Sequence, residues 1–195
     1  MVKYTAANLN ELIYIFYSGY TGSIEYDKLN NLILALNEDA INLTKISKPA
    51  ASNSNYNEYL DKIYSKEIKT IDLSGARQDN GHFALKLIAA DYLKSLNKKY
   101  KYEFKLQDRL ADVITDDLSI IIECGCTDPG KIFDYLEEPL VKQIIILPYP
   151  DAADNGKLFF YKFERNKYFK KYSEAMNEVR FSKIKRLILN RKRKF

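Results

Sequence analysis

The sequence predicts an α/β fold with a mixed central β-sheet flanked by helices. Three observations carry this. The stretches Tyr100–Leu106, Leu110–Ile114 and Ser119–Cys124 are of strand length and rich in β-branched or aromatic residues, and they follow one another across short polar turns, as in an antiparallel meander. Gln143–Leu147 is apolar apart from its first residue and is separated from the meander by a helix-like segment, which places it in the same sheet after a crossover. A long amphipathic segment, about Asn80–Leu96, precedes the meander and can cover one face of it.

The chain of 195 residues suits one domain, or a core domain with a small appendage, and is long enough to bury a core without staples. No apolar run approaches membrane-spanning length and the N-terminus lacks a signal-peptide pattern, so the expected compartment is the cytoplasm, with no membrane partner. The two cysteines, Cys124 and Cys126, are one residue apart; with a single histidine in the chain they make neither a disulfide framework nor a zinc site. Cys124 reads as a small buried apolar residue.

In chain order, residues 5–17 read as a helix, with Leu9, Leu12, Ile13 and Phe16 at helical spacing. Ser18–Ser23 is a glycine turn, and Glu25–Leu36 is a second helix carrying Leu29, Leu32, Ile33 and Leu36 on one face. Neither helix has a basic face, so a helix-turn-helix reading is weak. Residues 47–58 are polar and rich in breakers, the place for a linker or mobile loop. Tyr59–Lys69 is a further short helix and residues 74–81 a loop. Within the Asn80–Leu96 helix, Phe83, Leu87, Ala90 and Leu93 form an apolar stripe, and Asp79, His82 and Lys86 share another face by their spacing. After the meander, Asp128-Pro129 opens a helix to about Glu137. Lys157–Phe163 is a strand with alternating aromatics, and a last helix spans about Ser173–Asn190. Residues 1–70 are thus expected as a helical N-terminal extension and 71–195 as the α/β core with a basic C-terminal helix.

The chemistry concentrates at residues 109–131. Asp112 and Glu123 each stand where a strand would carry an apolar residue, one on either side of the Asp116-Asp117 turn. A carboxylate at the end of an isoleucine run is costly to bury unless it is paired or binds a cation. Two of them on adjacent strands can converge on one divalent metal with oxygen ligands.

With this order of elements, Asp112 in Leu-Ala-Asp-Val and Glu123 in Ile-Ile-Ile-Glu-Cys-Gly resemble the PD-(D/E)XK nuclease superfamily over about residues 78–150. The resemblance implies a core of helix, three strands, helix and strand, and a metal-dependent nuclease hydrolysing DNA phosphodiester bonds, on branched or duplex DNA. It implies Mg²⁺ or Mn²⁺ held by Asp112, Glu123 and the backbone carbonyl of Cys124. The motif's lysine, two residues after the glutamate, is here Gly125. Lys131 and Lys86 are the candidates to replace it. Asp79, with Gln78 as the alternative, matches the helix acid of the family, and His82 is a further candidate for the catalytic set. The loss of the lysine leaves a second reading open: a catalytically silent nucleic-acid-binding or assembly module with a nuclease-like fold.

Charge is uneven. Residues 180–195 hold eight Lys or Arg and no acid, which leaves 23 basic against 26 acidic side chains in the rest, a net of about −3. Lys183, Lys185, Arg186, Arg191, Lys192, Arg193 and Lys194 are therefore expected to contact nucleic-acid phosphates. The apolar Leu12, Ile13, Phe16, Leu32, Ile33 and Leu36 suggest a homodimer contact through the N-terminal helices.

Overall fold

The computed structural model describes residues 2–3, 9–47, 55–68, 79–151 and 156–178. Seven strands form one mixed sheet: β1 (Val2–Lys3), β2 (Ile41–Ser47), β3 (Tyr100–Leu106), β4 (Arg109–Thr115), β5 (Ile120–Cys124), β6 (Gln143–Leu147) and β7 (Phe159–Arg165). Their spatial order is β1-β2-β7-β6-β5-β4-β3. The β5–β6 pair is parallel and every other pair antiparallel. The helices are α1 (Leu9–Tyr17), α2 (Tyr26–Asn37), α3 (Tyr56–Tyr64), α4 (Asn80–Ser95) and α5 (Lys131–Glu137), and residues 169–178 are also helical.

The expected meander and the added strand β6 are both present, with α5 as the crossover that a parallel β5–β6 pair requires. The sheet has an apolar cluster on each face. On one, α1, α2 and α5 pack against Ile114, Ile121, Ile144, Ile146 and Phe163; on the other, α3 and α4 pack against Val113, Ile120, Ile122, Ile145 and Phe160. Strands β5 and β6, buried on both faces, are for that reason almost wholly apolar. The β4–β5 turn is closed by Asp117, whose carboxylate accepts from Thr115 Oγ1 at 2.6 Å and from the Ser119 amide at 3.0 Å, with Leu118 at φ 58°.

Several elements differ from the sequence reading. β1 and β2 were not expected: Ile41–Ser47 pairs with β7 along its whole length and Val2–Lys3 pairs with β2, so the described part of residues 1–70 supplies two sheet strands as well as helices. Helix α3 starts at Tyr56 rather than Tyr59, because the Asn55 side chain caps it by accepting from the Asn57 amide at 3.3 Å. The C-terminal helix is already under way at residue 169, where Phe169 plugs the first cluster. Its continuation lies outside the described residues, together with Lys183, Lys185, Arg186, Arg191, Lys192, Arg193 and Lys194; so do Gln78 and the first turn expected before Leu9. Of the residues expected at a dimer contact, Leu12, Phe16 and Leu32 are buried in the chain's own core and Ile13, Ile33 and Leu36 pack partly against it, while Leu34 on α2 is about half exposed. Among the described residues, no helix is long and apolar enough to cross a membrane.

Candidate metal and catalytic site

The site forms where β4 parts from β5. The two strands pair at Val113↔Ile122 and Ile114↔Ile121. One further step of that register sets Asp112 opposite Glu123, and there the ladder stops. In place of a backbone partner, the Cys124 amide donates to Asp112 Oδ2 at 2.8 Å. Asp112 is thus a side-chain substitute for the missing rung.

Each carboxylate is gripped by a cation from a different helix. Asp112 Oδ1 lies 3.1 Å from His82 Nε2 and 3.3 Å from Lys86 Nζ, both on α4. The spacing of four residues that put His82 and Lys86 on one helical face in the sequence is what lets both reach it. Glu123 Oε2 accepts from Lys131 Nζ at 2.5 Å and Oε1 from Tyr135 OH at 2.9 Å, both on α5. Lys131 Nζ also donates to the Leu110 carbonyl at 3.0 Å, so it spans from α5 to β4. The start of α5 is fixed in turn. Arg109 binds Asp134 and Asp128, Asp128 also binds Lys28, and the Thr127 amide donates to the Phe16 carbonyl at 2.9 Å.

Burial separates the protonation behaviour of the two acids. Glu123 is 1 % exposed, and its pKa is raised to about 7, first by burial and then by the Asp112 charge, against the pull of Lys131 and Tyr135. Asp112 is also pushed up by burial, but His82, Lys86 and the Cys124 amide outweigh this and hold it below its ordinary value. Lys86, 2 % exposed, is pushed down by burial, yet the carboxylates of Asp112 and Glu103 leave it above the usual lysine value. The Cys124 thiol is buried and raised well above its ordinary range, which fits an inert core residue.

The other candidates fall into place less directly. Asp79 is the N-cap of α4: its Oδ1 accepts from the His82 amide at 2.8 Å, a structural task worth about 1 kcal/mol. Its Oδ2 lies 3.5 Å from Tyr149 OH. Asp79 and His82 line an open cleft of about 460 Å³ together with Gly19, Tyr20, Thr21, Cys126 and Tyr149.

Gly125 stands where the PD-(D/E)XK resemblance would imply a lysine, and its surroundings give the reason a side chain is missing there. Its φ is +69°, and a Cβ on it would lie 2.6 Å from Tyr149 Cε2. Tyr149 is anchored in that position. Its amide donates to Ser18 Oγ at 2.9 Å, its carbonyl accepts from Tyr14 OH at 3.3 Å, and Tyr56 meets its ring edge-on.

Sequence reasoning missed Glu103. Its Oε1 takes the Lys86 ammonium at 2.7 Å, and it stands in β3 between the pairs Tyr102↔Val113 and Phe104↔Ala111, level with Asp112. Tyr100–Leu106 alternates apolar and polar residues throughout, with Glu103 at a polar position between Lys101 and Lys105, so nothing in the pattern sets it apart.

No protein-family model matches the chain, and neither curated proteins nor solved structures gave a significant match.

The donor chemistry suits a hard divalent cation with few protein ligands. Asp112 Oδ2 and the two Glu123 oxygens each keep a lone pair beyond the hydrogen bond described, whereas Asp112 Oδ1 already meets both His82 and Lys86, and Mg²⁺ characteristically retains several waters. Among the described residues no three His, Cys, Asp or Glu side chains form a ready cage. Helix α4 holds Asp112 from one face of the sheet and α5 holds Glu123 from the other, so an ion shared by the two would have to sit in the gap where β4 parts from β5, and Lys86 and Lys131 now balance the two charges separately.

Proposed function

We propose that this protein is a metal-dependent nuclease of the PD-(D/E)XK kind that hydrolyses DNA phosphodiester bonds, with Asp112 and Glu123 as the carboxylates that hold Mg²⁺ or Mn²⁺. The observation that carries the reading is the end of the β4–β5 ladder at Asp112 and Glu123, two acids level with one another on adjacent strands, each matched by a lysine from the helix on its own side of the sheet. A bound divalent ion would polarise the phosphate and acidify a water. The chain's own residues supply the rest.

Lys131 is the better replacement for the motif lysine. Its side chain is 20 % exposed, so its ammonium can turn from Glu123 towards a phosphate oxygen, whereas Lys86 is 2 % exposed and fixed between two acids. Lys131 would neutralise charge developing on the phosphate. His82, a quarter exposed and beside the cleft, can exchange a proton with a substrate or leaving group. The basic residues from Lys183 to Lys194 would hold the DNA backbone.

One observation favours the silent-module reading: Gly125 and the Tyr149 ring close the place where the motif lysine would stand. Cleavage assays with Mg²⁺ or Mn²⁺ on linear, nicked and branched DNA, and on RNA, decide between them. The nuclease reading expects cleavage that Asp112→Asn and Glu123→Gln abolish. Lys131→Ala should slow the chemical step, by about 10²-fold or more, with little loss of DNA binding. Binding without cleavage by the wild type under all these conditions would leave the silent module.

A further inference from the structure

We propose that Glu103 is a positioning residue that keeps Asp112 available to a cation by drawing the Lys86 ammonium away from it. This rests on the metal-site reading above and adds the residue that tunes that site.

Lys86 is a buried ammonium with two acids in ion-pair range among the described residues. It sits 2.7 Å from Glu103 and 3.3 Å from Asp112, so the closer bond is to the acid outside the motif. A buried ammonium must be neutralised. With the Glu103 carboxylate in place, Lys86 is shared between two acids and lies nearer Glu103, so less of its charge falls on Asp112, whose Oδ1 His82 Nε2 also meets at 3.1 Å. With Glu103 uncharged, Lys86 has Asp112 as its remaining counter-ion. The pair is then neutral, and a divalent ion must compete with the Lys86 ammonium for the Asp112 carboxylate.

The backbone supports a requirement for this carboxylate. Glu103 has φ +50°, a left-handed conformation in which a β-strand residue with a side chain is strained. The strand turns over at this point. Tyr100 and Tyr102 pack on the α4 side of the sheet, whereas Phe104 and Leu106 pack on the α1–α2–α5 side, although all four would share a face in a regular strand. Ala111 and Val113 on β4 divide in the same way. Shape alone would be served best by glycine at 103. A glutamate there is explained by what its carboxylate holds, and the turnover is what aims it at Lys86.

The test uses the full chain and Mn²⁺ alone as the probe, titrated calorimetrically into folded protein. Glu103→Gln should weaken Mn²⁺ binding by about tenfold or more, the effect of about one pKa unit of added charge. Glu103→Gly, which relieves the backbone strain, should weaken it equally. Lys86→Met should tighten it, because both acids then face the ion without an ammonium between them. In Glu103→Gln/Lys86→Met the affinity should return to within about threefold of wild type. A merely structural brace would show no such rescue. Unchanged binding in Glu103→Gln, an unrestored double variant, or no tightening in Lys86→Met overturns the proposal; the last result serves even where the Glu103 variants do not fold. Wild-type protein that binds no Mn²⁺ through Asp112 overturns the metal-site reading and this inference with it.

Discussion

Glu123→Gln should make the metal-free protein more stable relative to wild type as the pH rises. The folded carboxyl titrates near pH 7 against an ordinary value of 4.5. Between those values the folded protein retains a proton that the unfolded chain has lost, so the wild type loses stability as pH rises through this window. Glutamine cannot ionise, so it escapes the loss. At about 1.4 kcal/mol per pKa unit, the full difference is roughly 3 kcal/mol, of which roughly 2.5 kcal/mol falls between pH 5 and pH 8.5. Urea denaturation of both proteins at the two pH values, in EDTA, measures it; groups other than Glu123 largely cancel in the comparison. Asp112 is the second cause of the raised value, so Asp112→Asn should narrow the window from its upper end. Mg²⁺ should reverse the trend in the wild type alone, because binding favours the ionised carboxylate and stabilises the folded state by mass action. A stability difference between wild type and Glu123→Gln that does not change with pH would refute the account of a carboxyl held protonated by burial and a like charge.

Restoring the motif lysine by Gly125→Lys should destabilise the fold by roughly 2–4 kcal/mol, from the left-handed backbone and the clash with Tyr149, and Tyr149→Ala should recover part of this; thermal melts of the three variants check it. Deleting residues 191–195 should lower the slope of log DNA affinity against log salt, since fewer phosphate contacts release fewer counterions, and an unchanged slope would rule the tail out. A homodimer is proposed for attack on two strands; light scattering of concentrated protein that reports a monomer would exclude it.

How far the site could be read from sequence followed from periodicity. The isoleucine run ending in Glu123 and the four-residue step from His82 to Lys86 fix faces locally, and both fixed them correctly. Lys131 was legible because a helix starting beside Pro129 brings its first turn back over β5. Two features were not. β2 reads Ile-Asn-Leu-Thr-Lys-Ile-Ser and merges into a polar, breaker-rich stretch, and what makes it a strand is its pairing with the aromatic β7, a contact between residues over a hundred positions apart. Glu103 lies in a run whose polar–apolar alternation is unbroken in sequence but whose faces exchange in space, because one backbone torsion departs from the strand region. Periodicity assumes a regular backbone, so it misses a residue defined by a local irregularity.

Packing around Tyr149 accounts for the missing side chain at position 125. Ser18, Tyr14 and Gly19, from α1 and the turn after it, fix Tyr149 directly beyond β6, with its ring against Gly125. That packing ties the N-terminal helices to the end of the central strands and leaves no room for a side chain two residues after Glu123. A cation near Glu123 opposes, without overcoming, the burial and the Asp112 charge that raise its pKa. The first turn of α5 supplies one, held in place by the packing of Ile132, Phe133, Tyr135 and Leu136 on the sheet and by the ion pairs of Arg109 with Asp128 and Asp134. Lys131 therefore reaches Glu123 from the helix side while Lys86 reaches Asp112 from below α4, and the two acids are neutralised separately instead of by one lysine on their own strand. Docking of the N-terminal helices through Tyr149 and supply of the Glu123 counter-ion from α5 are thus coupled features of the fold.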